Sequence, residues 1–286
     1  MLDFLAAAAR FVSLAAILLV TGESVFAVNL AGRLDPNEST TPQVLGRASR
    51  LRKWGLSLLA VALGCRLVLQ AMSFTDAGEP VLPMMATVLT AMVWGRGWIG
   101  QSVILLACAL PVSARARLML VAILSATPAF MGHAVATERA PMIAVIADGL
   151  HVLGSGVWLG TLTVLIVAAL PLVASSVALR LIRTFSPVAL TAAATIAVTG
   201  SVSALLHLSS WRDLVTSGYG QLLLLKVLLV GVAALLGGYN WKRSTPALER
   251  GDASVLRRVS RMEVAAAVTI LLVTSILIAM PFPGEG

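Results

Sequence analysis

Long apolar runs separated by short polar stretches recur from one end of the chain to the other. Ending each run at the next charged residue, proline or glycine predicts helices near 8–31, 51–74, 95–112, 116–132, 142–172, 185–207, 219–240 and 260–280. Most runs hold roughly 17 to 30 weakly charged residues, the length that a helix needs to cross a bilayer. The pattern therefore predicts an all-α integral membrane protein with about eight transmembrane helices.

Composition supports a membrane environment. Hydrophobic residues make up 58% of the 286 and charged residues only 12%, a balance that soluble domains rarely have. The net charge of +8 could indicate a nucleic-acid partner, but the cations lie in short loops between apolar runs and not on one soluble face. We therefore expect membrane lipid, and no nucleic acid, to surround this protein.

The distribution of cations predicts how the helices are oriented. Four loops, 32–53, 113–117, 173–184 and 241–261, hold fifteen of the 21 lysines and arginines. The positive-inside rule places these loops in the cytoplasm. Because an even number of spans returns the chain to its starting side, both termini are predicted to lie outside.

The chain also shows a weak internal similarity. Residues 88–102 resemble 213–226 in spacing, and each segment precedes or opens the third predicted helix of its half. This similarity suggests two four-helix halves, 1–132 and 133–286. Since each half has an even number of spans, the repeats would be parallel and not inverted.

Five ionisable residues stand out inside the predicted spans, where an unpaired charge costs at least roughly 2.5–3.5 kcal/mol. They are Glu23, Arg66, Asp148, His151 and Lys226. A structural interpretation is that Glu23 and Asp148 neutralise Arg66 and Lys226 across the bundle. Each residue otherwise needs a functional role.

Asp148 and His151 form the strongest candidate site. Their spacing of three places both on one face of a helix, so the carboxylate could orient the imidazole. If this helix starts near Pro141, ten residues bring His151 to a depth of about 15 Å, close to the bilayer midplane. Transporters bind substrates at this depth. The alternative is an interhelical hydrogen bond without further function.

Further candidate ligands lie toward the outer face. His133 and Met131 stand at the mouth of the fourth predicted helix, and Met84 and Met85 precede the third. Thioether and imidazole groups suit copper(I), and a carboxylate cluster for calcium or magnesium is lacking. The alternative for the methionines is ordinary packing.

Three segments together resemble the copper resistance D (CopD) family. They are GHA at 132–134, ADGLHVLGSGVWLGTL at 147–162, and SGYGQLLLLKVLLV at 217–230, followed by Asn240. The resemblance covers roughly residues 130–250, the core domain of that family. It implies a bacterial inner-membrane protein that moves copper across the cytoplasmic membrane or supports resistance beside a CopC-like periplasmic copper protein.

The resemblance also carries metal-site roles to His133, Asp148 and His151, while Lys226 matches a family position of unassigned role. Copper would then be the transported or bound ion. Two alternatives stay open: a haem-b-binding membrane redox protein, because inward histidines in four-helix units also describe such cytochromes, and a copper-delivery or assembly factor that does not transport. No nucleotide-binding or hydrolase motif indicates an enzyme.

Overall fold

The computed structural model describes residues 1–76, 78–132, 140–208, 210–250 and 254–280 of the chain. Within these ranges every regular element is a helix. The α-helices are α1 (Leu2–Val25), α2 (Thr40–Met72), α3 (Val81–Ala91), α4 (Val93–Ala109), α5 (Ala114–Ala126), α6 (Pro141–Ser155), α7 (Thr161–Val164), α8 (Ser175–His207), α9 (Asp213–Thr216), α10 (Gly218–Glu249) and α11 (Ser254–Leu277). The all-α fold is thus confirmed.

Several helices continue in tighter or wider turns. Helix α1 passes into a π-helical turn at Phe26–Leu30, and α5 ends in a 3₁₀ turn at Thr127–Met131. Two π-helical segments, Gly156–Gly160 and Leu165–Ala169, link α6 to α7 and extend α7. Such π-turns occur often at functional sites.

Seven stretches in the described ranges are long and apolar enough to cross a membrane. They are Leu2–Arg33, Thr40–Met72, Ala114–Met131, Pro141–Ala169, Ser175–Leu206, Gly218–Asn240 and Arg258–Leu277. The third predicted span corresponds to α4, whose 17 residues extend about 26 Å at 1.5 Å per residue, slightly less than the bilayer core. The protein is a multi-pass membrane protein, and eight spans with both termini outside stay predictions.

Helix α1 packs closely against the segment that follows α6. A Cβ atom on Gly160 would overlap the carbonyl oxygen of Leu18, and a Cβ on Gly156 would lie 2.7 Å from the Cβ of Thr21. Two backbones can approach so closely only where side chains are absent, as small-xxx-small steps allow in membranes. Dispersion contacts across this interface then hold the centre of the bundle together.

One local joint occurs twice, at the two segments whose sequences are similar. A single extended residue separates α3 from α4 (Met92, φ −98°, ψ 144°) and α9 from α10 (Ser217, φ −95°, ψ 147°). Three residues later, a Cβ on Gly95 or Gly220 would overlap a carbonyl oxygen of the preceding helix. The joint supports two related halves, although the division at residues 132 and 133 stays a prediction.

Candidate functional site

His151 lies on α6 and turns its imidazole toward α8. The Nδ1 atom is 3.1 Å from Oγ1 of Thr199. At Gly200, the next residue, a Cβ would lie 3.3 Å from the His151 Cε1 atom and 3.6 Å from Nδ1. The Nδ1–Cε1 edge of the ring therefore faces α8, and the absence of a side chain at Gly200 allows this approach.

The hydrogen bonds of Thr199 determine the tautomer of His151. The Thr199 hydroxyl donates its single hydrogen to the carbonyl of Thr195, 2.7 Å away. Its oxygen is then available to accept from the imidazole, an arrangement that corresponds to the tautomer with the proton on Nδ1 and the electron pair on Nε2. Histidines that bind metals are held in this way, with one ring nitrogen donating to the protein and the other free to coordinate.

A cavity of about 60 Å³ adjoins His151. Five helices contribute to its wall: α1, α6 with its π-extension, α8, α10 and α11. The polar or aromatic groups in the wall are Ser155, Trp158, Lys226 and Thr274 together with His151. A volume of this size accommodates an ion with a few waters.

Two charged residues, both half-buried, accompany His151. Asp148 lies one turn earlier on the same face of α6, and Lys226 reaches the cavity from α10. Lys226 is close enough to both Asp148 and His151 to interact with them electrostatically. Asp148 therefore contributes negative charge near Lys226, and neutralisation of Lys226 by Asp148 stays a prediction.

The predicted pairing of Glu23 with Arg66 is wrong. The Glu23 carboxylate lies 3.6 Å from Nε of Arg52 and 3.4 Å from a guanidinium nitrogen of Arg117. Arg52 belongs to α2 and Arg117 belongs to α5. Both side chains reach the buried carboxylate from these helices. Arg66 instead places its guanidinium 5.8 Å from the centre of the Trp94 ring, a cation–π contact.

The predicted methionine ligands lie elsewhere. Met84 and Met85 pack, partly buried, against a small apolar cluster around Val88. Met131 is buried beside Gly97. None of the three lines the His151 cavity, and the part of the chain with described coordinates contains no group of three His, Cys, Asp or Glu residues that could hold a metal. His133 lies outside the described residues.

Thr199 is the functional residue that the sequence analysis missed. Its importance depends on how α6 and α8 rotate against each other, which the spacing of apolar residues does not determine. A weak signal was present, since Thr191, Thr195 and Thr199 recur every four residues and form a polar stripe on α8. Thr199 is the buried member of this stripe, whereas Thr195 is half-buried and Thr191 is exposed.

The fold and this polar site define a multi-pass all-α membrane protein with an ionisable group inside a membrane-spanning stretch. Two family models match the chain: "Copper resistance protein D-like, N-terminal domain" over residues 1–143, and "Copper resistance protein D" over 179–277. The chain belongs to the copper resistance protein D family. The motif at 147–162 lies entirely between the two matched ranges, and the motif at 217–230 lies inside the second.

A curated relative is the copper transport protein CutJ of Bacillus subtilis (strain 168). It is 28% identical over 165 residues, which cover 55% of this chain and 29% of CutJ. The aligned region is therefore less than a third of that relative's length. No solved structure matches the chain.

Proposed function

We propose that this protein carries copper, as Cu(I), across the bacterial cytoplasmic membrane by way of His151. The observation that carries the proposal is an imidazole that Thr199 holds through Nδ1 and that lines a cavity between five helices. Membership of the copper resistance protein D family and the name of the CutJ relative support copper as the ion.

The charges around the site suit transport better than storage. A cation entering the cavity meets the positive charge of Lys226, and Asp148 offsets part of that repulsion. Transport sites must bind an ion well enough to admit it and weakly enough to release it. The combination of one imidazole, one carboxylate and one lysine therefore makes a site that binds the ion weakly.

Capture at the outer face is assigned to the predicted ligands His133, Met131, Met84 and Met85, because soft thioether and imidazole groups exchange Cu(I) among themselves. A CopC-like periplasmic protein would supply the ion. This assignment requires that the outer ends of α3 and of the 3₁₀ turn at Thr127–Met131 face the periplasm, as the positive-inside rule predicts.

The size of the cavity favours an ion over haem. Cofactor pockets usually measure about 300–1,000 Å³, whereas the cavity at His151 measures about 60 Å³. A redox protein would show a Soret band after purification. A delivery or assembly factor would bind copper without moving it.

The test is Cu(I) uptake into proteoliposomes that contain a Cu(I)-sensitive dye. We expect His151→Ala to lower the initial uptake rate at least tenfold and to remove about one bound copper per chain. The control is Thr191→Val, whose hydroxyl bonds only within α8 and whose loss should leave uptake unchanged. Wild-type protein that binds copper but gives no uptake would contradict transport, and unchanged binding in His151→Ala would contradict the site.

A further inference from the structure

A second buried polar cluster lies between α10 and α11, outside the His151 cavity. The Glu263 side chain accepts a hydrogen bond of 3.4 Å from Nδ2 of Asn240, and the same amide lies 3.3 Å from Oγ of Ser260. All three residues are buried. On the other side of the carboxyl group, a Cβ on Gly237 would be only 3.5 Å from Oε1, so bare backbone covers that oxygen.

Glu263 differs from the other buried glutamate in what neutralises it. Glu23 and Glu263 are both 5% exposed, but Glu23 has two arginines, whereas the hydrogen-bonding partners of Glu263 among the described side chains are neutral. Among the nearby cations on α10 and α11 whose side chains the structure describes, the following are exposed: Lys242, Arg243, Arg258 and Arg261.

The other elements packed on α11 bring no counter-ion to Glu263. Helix α1 places Arg10 at the carbonyl of Ser275, twelve residues and about 18 Å further along the helix. The π-helical turn at Leu165–Ala169 carries no ionisable side chain. An uncompensated carboxylate inside a span costs at least roughly 2.5–3.5 kcal/mol, and taking up one proton removes that charge.

The cluster lies close to one membrane surface. Asn240 ends the apolar stretch Gly218–Asn240, and Glu263 is five residues inside the stretch that starts at Arg258, a depth of about 7.5 Å. The cation-rich segment between these stretches is predicted to be cytoplasmic. We propose that Glu263, held by Asn240 and Ser260, is a proton-binding site reached from the cytoplasm, where its carboxylate takes up one proton and becomes a neutral carboxyl group.

Infrared difference spectroscopy tests the proposal on the full chain in liposomes without copper, with the pH stepped between about 8 and about 5. We expect the C=O stretching band of a buried, protonated carboxyl group in the wild type and its loss in Glu263→Gln. Asn240→Ala should keep the band at a shifted frequency, because a hydrogen bond to the carboxyl group is removed. Glu249→Gln, which alters an exposed ion pair with Arg183, should leave the band unchanged.

Two results would overturn the proposal. One is a wild-type spectrum in which no carboxyl band responds to Glu263→Gln or Asn240→Ala, which means that Glu263 stays ionised. The other is displacement of the band by added sodium ions at constant pH, which means that the cluster is a metal-cation site. Circular dichroism of both variants checks that the helices are retained. Because copper is absent from these measurements, their outcome is independent of the copper transport proposed above.

Discussion

In the proposed copper site, Thr199 is the residue that holds the half-buried His151 in place to bind the ion. Replacing it with valine keeps the shape of the side chain but removes the acceptor for the Nδ1–H of His151. The imidazole then loses its fixed tautomer and orientation. Because such supporting residues usually contribute 10- to 100-fold in metal affinity, we expect Cu(I) binding to weaken at least about tenfold, or about 1.4 kcal/mol, in a competition titration with a Cu(I) chelator.

Two variants are matched controls for this measurement, Thr191→Val and Thr195→Val, and each is measured separately. Thr191 lies on the same helix and donates only to the carbonyl of Pro187, so its loss should not change Cu(I) affinity. Thr195→Val removes the Thr195 hydroxyl but keeps the Thr195 backbone carbonyl, which accepts the hydrogen bond from the Thr199 hydroxyl. Equal affinity of wild type and Thr199→Val would show that His151 needs no support from α8.

Glu23 gives a second prediction, about stability. In Glu23→Gln the buried ends of Arg52 and Arg117 lose their shared counter-charge. Removing one partner of a buried ion pair typically costs about 3–5 kcal/mol, so thermal unfolding in detergent should occur at a clearly lower temperature. Glu249→Gln breaks an exposed pair with Arg183 and should change stability by less than about 1 kcal/mol. Similar unfolding temperatures for both variants would contradict this account.

At the scale of elements, α1 and the π-helical segment after α6 approach each other very closely. Among the described glycines, Gly160 is the one where an added Cβ would come nearest to another atom. Gly160→Ala would force a methyl group onto the carbonyl oxygen of Leu18. Because two backbones cannot separate without opening the core, we expect a loss of about 3 kcal/mol or more, at the upper end of overpacking effects. Thermal unfolding and the yield of monodisperse protein would measure it.

Gly64→Ala on α2 is the control for Gly160→Ala. A Cβ on Gly64 meets no atom within 4 Å, and alanine favours a helix over glycine by up to about 1 kcal/mol. This variant should therefore be as stable as the wild type or more stable. If Gly160→Ala unfolded at the same temperature as Gly64→Ala, the close approach of α1 would be disproved.

What the sequence could predict differs between helices and their contacts. Helix positions followed from local apolar runs, and the candidate site at Asp148 and His151 followed from ionisable groups that lipid disfavours, whereas Lys226 was predicted only as a structural partner of Asp148. The partners of Glu23 and His151 could not be predicted, because they depend on helix rotation and tilt. Glu263 was overlooked since it lies near a span end, where a carboxylate usually reaches water.

At the scale of the whole molecule, the two joints before α4 and α10 align the two halves of the chain, and different residues stand at equivalent positions. Gln101 stands 125 positions before Lys226, the same offset that relates Gly95 to Gly220. Gln101 is fully buried, and its amide has no hydrogen-bond partner within the described part of the chain. If the halves are repeats, the first presents a neutral amide where the second presents a cation, so the two equivalent positions differ in charge.

Helix α4 decides the topology of the whole chain. Its 17 residues are just enough to cross a thin bilayer, and only if it crosses do eight spans return the C-terminus to the side of the N-terminus. Only eight spans place the fifteen loop cations on the same side of the membrane. These cations lie in the loops 32–53, 113–117, 173–184 and 241–261. With seven spans, the loop 32–53 before α4 and the three loops after α4 would face opposite sides, against the positive-inside rule.

Reporter fusions measure this directly. We expect alkaline phosphatase fused after Gly286 to be active in the periplasm, an epitope before Met1 to be accessible from outside, and a phosphatase fused within 35–38 to be inactive. A green fluorescent protein at the same three positions is the control, since it should fluoresce only where the phosphatase is inactive. Opposite locations for the two termini would show that α4 lies in the membrane without crossing it. Both the outer-face copper ligands and the cytoplasmic opening of the Glu263 cluster would then have to be reassigned.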